Sequence, residues 1–299
     1  MDSTAQHQRL KVVNNGLFYA FIGEITRSMP ELPEVEIRRQ YLETSSLFQA
    51  IQHIEVEDKK LLTTDYITLV NTLGGRQFVG TRRVGKNLFV LTDEPNVIVR
   101  MHFGMTGDLD YYHASLDRPR FARIVFEFSN GYNLGFLCPR KFERVGLVSD
   151  IDAYLLEKKI GQDGLDISLE TLTDRVRRKK AFIKPVLLDQ SVVAGLGNWI
   201  VDEVLFQAFV HPEQRADTLT NAQIIQLHDA IKFVLQTAIR HEATYRDFPN
   251  SFLIHVREWD DSPYDDVEAH KYCPRCRTRI ERSTIGGRTT FFCPNEQVK

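Results

Sequence analysis

No stretch of this chain approaches the ~20 consecutive apolar residues that a membrane-crossing helix requires, which excludes a helical membrane protein. Residues 1–28 lack the continuous apolar core and small-residue cleavage site of a secretory signal, so the expected location is the cytoplasm, with the nucleoid if the source is bacterial. There is no internal repeat and no low-complexity tract, which sets aside solenoids and compositionally biased tails. An excess of charge is also missing. The formal net charge of −2 excludes a uniformly basic chain, the simplest mark of a nucleic-acid partner.

What is present is an ordinary globular composition, 42% hydrophobic and 26% charged, over 299 residues, enough for two domains. Charge is unevenly distributed. Arg175, Arg177, Arg178, Lys179, Lys180 and Lys184 form one basic run. A second runs from Lys271 to Arg288, after an acidic stretch at residues 260–268. Local basic faces of this kind suffice to bind phosphate even when the total charge is near zero.

Apolar spacing at Leu32, Val35 and Ile37, with Pro33 tolerated in a first turn, predicts a helix over residues 29–40. From Ile51 to Val148 the pattern is that of strands, among them Asn87–Leu91, Val97–Met101, Ala122–Phe128 and Val145–Val148, with a hairpin turn at Ser129-Asn130-Gly131. An all-β domain opened by one helix is expected. From about Leu169 to Ile239 the spacing is helical, with turns at Gly195-Leu196-Gly197 and His211-Pro212. Residues 270–299 are a short, arginine-rich tail that holds three of the four cysteines.

Three groups of residues carry chemistry. The first is Met29-Pro30-Glu31. A methionine that initiates before proline is normally trimmed, leaving Pro30 a secondary amine beside the Glu31 carboxylate, a nucleophile next to an acid/base. With residues 1–28 attached, the same nitrogen is a tertiary amide without lone-pair reactivity. Residues 1–28 are therefore expected to be an extension absent from the mature protein, whose translation starts at Met29 and whose processed chain begins at Pro30. The second group is Cys273-Pro-Arg-Cys276 with Cys293-Pro294, paired knuckles whose thiolates can hold one zinc ion. The fourth position carries Glu296, whose carboxylate zinc accepts; a hairpin held by packing, with three free thiols, is the alternative. Cys138 reads as a buried small hydrophobe. The third is Gly197-Asn198, where a helix start could offer its amides to phosphate, or simply turn the chain.

In order along the chain stand Met-Pro-Glu-Leu-Pro-Glu-Val-Glu at 29–36, Gly85-Lys86, and His102-Phe103-Gly104-Met105-Thr106-Gly107. Pro139-Arg140-Lys141-Phe142, Ile183-Lys184-Pro185, Gly195-Leu196-Gly197-Asn198 and the cysteine tail with Gly287-Arg288-Thr289-Thr290 follow. Taken together over residues 29–297, these motifs resemble the formamidopyrimidine-DNA glycosylase family, enzymes that excise oxidised purines. The resemblance implies an α+β, multidomain fold: a helix-capped β-sandwich, then a helix–two-turn–helix module with a zinc-finger-like β-hairpin. The corresponding domains are a catalytic sandwich at 29–150, a linker at 151–168, a DNA-binding module at 169–265 and the hairpin at 270–299.

It further implies that Pro30 attacks C1′ of the damaged nucleotide to give a Schiff base and that Glu31 is the adjacent acid/base. Lys86 would meet the scissile backbone, and Arg288 would clamp a phosphate during β,δ-elimination. Met105, Arg140 and Phe142 match the side chains that fill the gap left by an everted nucleotide. His102, Lys179 and Asn198 match contacts to backbone phosphates. The implied partner is damaged double-stranded DNA, bound by a monomer, with zinc structural and carried by Cys273, Cys276, Cys293 and Glu296. Three departures stand out, one of them Glu296 in place of the last cysteine. Phe121 replaces a usual DNA-contacting histidine, and the glycine-rich loop that covers the everted base in many relatives is missing before the first tail cysteine. A non-catalytic damaged-DNA-binding protein with a blocked Pro30, and an oxidised-pyrimidine glycosylase, are the alternative readings.

Overall fold

β-branched and aromatic residues alternate with polar ones through the first half of the chain, and strands follow from that alternation. A computed structural model describes residues 10–13, 16–19, 29–257 and 271–299, and the chain divides into two units. The first unit takes in residues 1–30, 38–82 and 89–149; the second takes in residues 31–37, 83–88 and 150–299.

Strands β1 (Leu10–Val13) and β2 (Gly16–Tyr19) pair antiparallel as an isolated ribbon. Helix α1 (Leu32–Ser45) runs longer than its apolar spacing predicted. It is followed by β3 (Ile51–Val56), helix α2 (Tyr66–Leu73), β4 (Phe78–Val84), β5 (Asn87–Thr92) and β6 (Ile98–His102). Then come β7 (Asp108–His113), β8 (Ala122–Phe128), β9 (Tyr132–Leu137) and β10 (Arg144–Val148). They form two four-stranded sheets, ordered β10-β6-β5-β4 and β3-β8-β9-β7. Phe78 of one sheet meets Phe126 and Phe128 of the other edge-on, at 5.6 and 6.0 Å between ring centroids, so the two inner faces share one aromatic core. The Ser129-Asn130-Gly131 turn joins β8 to β9 as expected, with Gly131 at φ +80°. Cys138 is fully buried, as read from the sequence.

Helix α2 corrects the expectation of a single helix in this region. Asp65 caps it, accepting from the Thr68 nitrogen at 3.1 Å, and Leu69 and Leu73 bury its inner edge. Eight residues make barely two turns, too few for a helical period to stand out among strands.

The second unit is helical. It contains α3 (Ile151–Glu157), inside the stretch expected as linker, then α4 (Leu169–Arg177), α5 (Ile183–Leu188), α6 (Asn198–Gln207), α7 (Asn221–Arg240) and α8 (Ile254–Arg257). Helix α6 is apolar nearly all round, and residues Trp199 to Phe206 are buried, which marks it as the centre of the unit. Trp199 stacks obliquely on Tyr245 and Phe248, and α7 starts with a reciprocal capping box between Thr220 and Gln223. The chain ends in an antiparallel hairpin, β11 (Glu281–Ile285) and β12 (Arg288–Phe292). Gly286 and Gly287, at φ +59° and +73°, supply the left-handed pair that a two-residue hairpin turn needs. No helix among the described residues is long and apolar enough to cross a membrane.

Candidate active site

Helix α6 begins without a side-chain cap of its own, because its N-cap is Gly197. Glu31 fills that role from far away in sequence. Its Oε2 accepts from the Gly197 nitrogen at 2.7 Å and the Ile200 nitrogen at 3.3 Å, and its Oε1 accepts from the Trp199 nitrogen at 3.2 Å. Three otherwise orphaned helix amides thus converge on one carboxylate. Glu31 is 2% exposed, and burial, opposed by the Lys86 charge and the helix amides, pushes its pKa up to about 7. The side chain before it in the chain is Pro30, also buried.

Lys86 lies in the two-residue turn between β4 and β5, after Gly85 at φ +58°. That turn is fixed by Asp163, which accepts from the Gly85 nitrogen at 2.7 Å and pairs with Arg83. Arg83 in turn reaches Glu36 at 2.9 Å. Glu34, in the first turn of α1, accepts from the Glu31 nitrogen at 2.9 Å and from the Tyr245 hydroxyl at 3.1 Å. The segment that starts at Glu31 is therefore tied at both its backbone and its side chains.

Arg288 opens β12 and is exposed, immediately after the double-glycine turn. Its hairpin is docked through the next residue. The Thr289 carbonyl accepts from Asn198 Nδ2 at 3.0 Å and from Lys184 Nζ at 2.9 Å. Lys184 is fully buried and pairs with the equally buried Asp202 at 2.6 Å; Asp202 also accepts from Arg257 Nε at 3.2 Å and the Phe291 nitrogen at 3.3 Å. Burial holds the Lys184 ammonium below its ordinary pKa. Glu31, Lys86, Asn198 and Arg288 thus belong to the same unit, organised around the start of α6.

The other expected DNA-contacting residues sit in the first unit, with one exception. His102 ends β6, and its Nδ1 accepts from the Gly104 nitrogen at 3.2 Å. Met105 is half-buried in the loop that follows. Phe142 is 53% exposed, and the Arg140 guanidinium lies 5.6 Å from its ring centre. The exception is Lys179, just after α4, which bonds Asp189 at 2.9 Å.

In the tail, the sulfurs of Cys273, Cys276 and Cys293 lie within 4.8 Å of one another. Cys273 and Cys293 are buried, and 3.5 Å separates the sulfurs of Cys276 and Cys293. Three soft thiols at that spacing suit a tetrahedral zinc ion, which fits a structural site. Glu296 is not part of that cluster. Its carboxylate faces Arg275 at 3.8 Å, and Arg275 is stacked 4.2 Å over the Phe206 ring. Two residues that organise the site were not singled out from the sequence: Asp163 and Asp202. An acidic residue among apolar ones, such as Asp202 inside the Trp199–Phe206 run, is the one cue that was available.

Comparison with known proteins follows this geometry along the chain. Residues 29–145 match the formamidopyrimidine-DNA glycosylase N-terminal domain, residues 160–249 the formamidopyrimidine-DNA glycosylase H2TH domain, and residues 271–295 the zinc finger found in FPG and IleRS. A formamidopyrimidine-DNA glycosylase of Streptococcus pneumoniae is 36% identical over 275 residues, covering 90% of this chain and 99% of that one. The Arabidopsis thaliana protein of the same name is 31% identical over 289 residues, covering 90% of this chain and 71% of its own. Among solved structures, the Lactococcus lactis enzyme non-covalently bound to AP-site DNA superimposes with a TM-score of 0.79 at 31% identity, covering 90% of this chain and all of that one. A MutM complex with DNA containing carbocyclic 8-oxo-G gives 0.78 at 31% identity and the same coverage.

Proposed function

We propose, from the premise that this chain belongs to the formamidopyrimidine-DNA glycosylase family, that it removes oxidised purines from duplex DNA and cleaves the strand at the resulting abasic site. The observation that carries the reading is the Glu31 carboxylate, buried on the amides of α6, with its pKa near 7 and next in the chain to Pro30.

The roles divide as follows. With its nitrogen uncapped, Pro30 is a secondary amine; a terminal amine near pKa ~8 keeps roughly a tenth of its population unprotonated at pH 7, far more than a lysine near ~10.4. Its lone pair forms the N–C1′ bond, and the damaged base leaves with the glycosidic electron pair. Glu31, still largely able to hold a proton at neutral pH, donates as the sugar ring opens and accepts as the Schiff base forms. Lys86, on its anchored turn, faces the backbone at the cleaved sugar. Arg288 offers a guanidinium to the phosphate that departs in β,δ-elimination. Met105, Arg140 and Phe142 fill the gap left by the everted nucleotide. His102, Lys179 and Asn198 hold backbone phosphates, so affinity falls steeply with salt. A structural zinc would be held by Cys273, Cys276 and Cys293, while Glu296 faces Arg275 and lies outside that cluster. The protein works as a monomer in the cytoplasm, with the nucleoid if bacterial.

Borohydride trapping tests the chemistry. A form whose chain begins at Pro30 is incubated with duplexes carrying 8-oxoguanine, formamidopyrimidine, hydantoin or thymine glycol. A covalent adduct on the purine-derived lesions, lost with Pro30→Gly, is expected. No adduct on any duplex would leave a DNA-binding protein without catalysis, and preference for thymine glycol would move the substrate to oxidised pyrimidines.

A further inference from the structure

Two loops of the first unit hold the side chains assigned above to gap filling: residues 103–107, after β6, and residues 138–143, after β9. They are interlocked at the level of backbone. A Cβ on Gly104 would lie 2.6 Å from the Phe142 carbonyl carbon and 2.7 Å from the Glu143 nitrogen, and one on Gly107 would lie 2.7 Å from Glu143 Cγ. Gly104 also sits at φ +56°, where other residues are strained. Only glycine permits this approach at both positions.

Glu143 lies at the centre of the contact and is 0% exposed. One of its oxygens is 3.4 Å from the Thr106 hydroxyl, which donates to it; the other has no hydrogen-bond partner. A carboxylate withdrawn from water with an orphaned oxygen lowers stability. A smaller apolar residue would avoid that cost, so packing alone gives no reason for it. What Glu143 does supply is a bond from the second loop to the residue next to Met105. On the far side, the Gly107 carbonyl accepts from Arg38 Nε of α1 at 3.1 Å, which seats the first loop on that helix.

We propose that Glu143 is a positioning residue: it latches the Met105 loop to the loop of Arg140 and Phe142, so that the three gap-filling side chains enter the duplex as one body. This rests on the glycosylase reading. It predicts a defect confined to steps that need a filled gap. Excision from duplex DNA needs one; cleavage at an abasic site in single-stranded DNA does not, because no partner strand is left to stack.

The test compares those two substrates in single turnover for Glu143→Ala, Thr106→Val and Glu143→Gln. Fluorescence of 2-aminopurine placed opposite the lesion follows insertion directly. Thr106 is half-exposed, so its near-isosteric variant folds even if Glu143→Ala does not. Glu143→Ala and Thr106→Val should lose at least about tenfold in duplex excision and in the rate of the fluorescence change, with single-strand cleavage within about twofold of wild type. Glu143→Gln, which keeps an acceptor for Thr106, should stay near wild type. Equal losses on both substrates, or no loss on either, would overturn the latch. A wild-type protein inert on both would sink the glycosylase reading, and the latch with it.

Discussion

Glu31 Oε2 lies 2.7 Å from the backbone nitrogen of Gly197, across 166 positions of sequence, and no side chain fits between them. A Cβ on Gly197 would stand 2.1 Å from the Glu31 carboxyl carbon. Gly197→Ala should therefore displace the carboxylate and lower single-turnover excision on the order of 10²-fold, since a shift of about 1 Å in a reacting group costs that much. The backbone at Gly197 is extended, so the fold tolerates alanine better than the reaction does. Comparing the thermal midpoint with the excision rate separates the two effects.

Activity should follow a bell against pH. Below about 8 the Pro30 amine is increasingly protonated, which gives the acid limb. Glu31, raised to about 7, loses its proton as pH climbs past that value, which gives the alkaline limb. The optimum lies between about 7 and 8, and Glu31→Gln removes the alkaline limb along with most of the rate. Rate profiles of excision for the two proteins check this.

The same linkage acts on stability through Glu203. It is fully buried beneath α8, accepts from the Leu253 and Ile254 nitrogens, and burial pushes it from 4.5 to about 7. Between those values the folded state binds the extra proton, so stability is greatest at the acid end of the window and falls as pH rises through it. Glu203→Gln should flatten that fall in denaturant titrations at several pH values.

Asp202 should be harder to lose than to exchange together with its partner. Asp202→Asn leaves the fully buried Lys184 without a counter-charge, and removing one member of such a pair costs about 3–5 kcal/mol. Adding Lys184→Met takes away one of the two stranded charges, the other being Arg257, and should recover part of that loss. Urea unfolding of both singles and the double gives the coupling.

Stripping zinc should loosen the hairpin before it unfolds the remainder. With the thiols of Cys273, Cys276 and Cys293 unbridged, β11 and β12 lose that cross-link and keep the Asp202 and Thr289 contacts and the packing of Phe291 on Arg257 and of Phe292 on His211. One zinc per chain by elemental analysis is expected. Chelation should lower the melting temperature by several degrees, and Cys276→Ser should reproduce it without chelator.

Much of this architecture was legible in advance. Ala122–Phe128 is rich in β-branched and aromatic residues and bounded by turn residues, and β8 has those bounds. The helix starting at Asn198 follows from the glycines before it. Pro30, Glu31 and the cysteine knuckles could be read as chemistry because their partners are neighbours in sequence. What escaped was non-local. Gly195-Leu196-Gly197 offers nothing to say that a carboxylate from the start of the chain will rest on it. Asn198 reads as a free donor, yet its Nδ2 bonds Thr289, and that pairing exists only once the hairpin folds back. Glu296 occupies the sequence position of a fourth ligand, while its carboxylate lies 3.8 Å from the Arg275 guanidinium and outside the cysteine cluster.

Asp163 has a consequence for biosynthesis. The Lys86 turn is held by a side chain 77 positions further on, through the Gly85 amide and Arg83. Glu31 waits longer still, for amides at 197–200. On the ribosome the amino-terminal strands can pair while their reactive corner stays unassembled. A truncated product that ends after the first sheets would lack the amides on which the Glu31 carboxylate rests and the carboxylate that fixes the Lys86 turn.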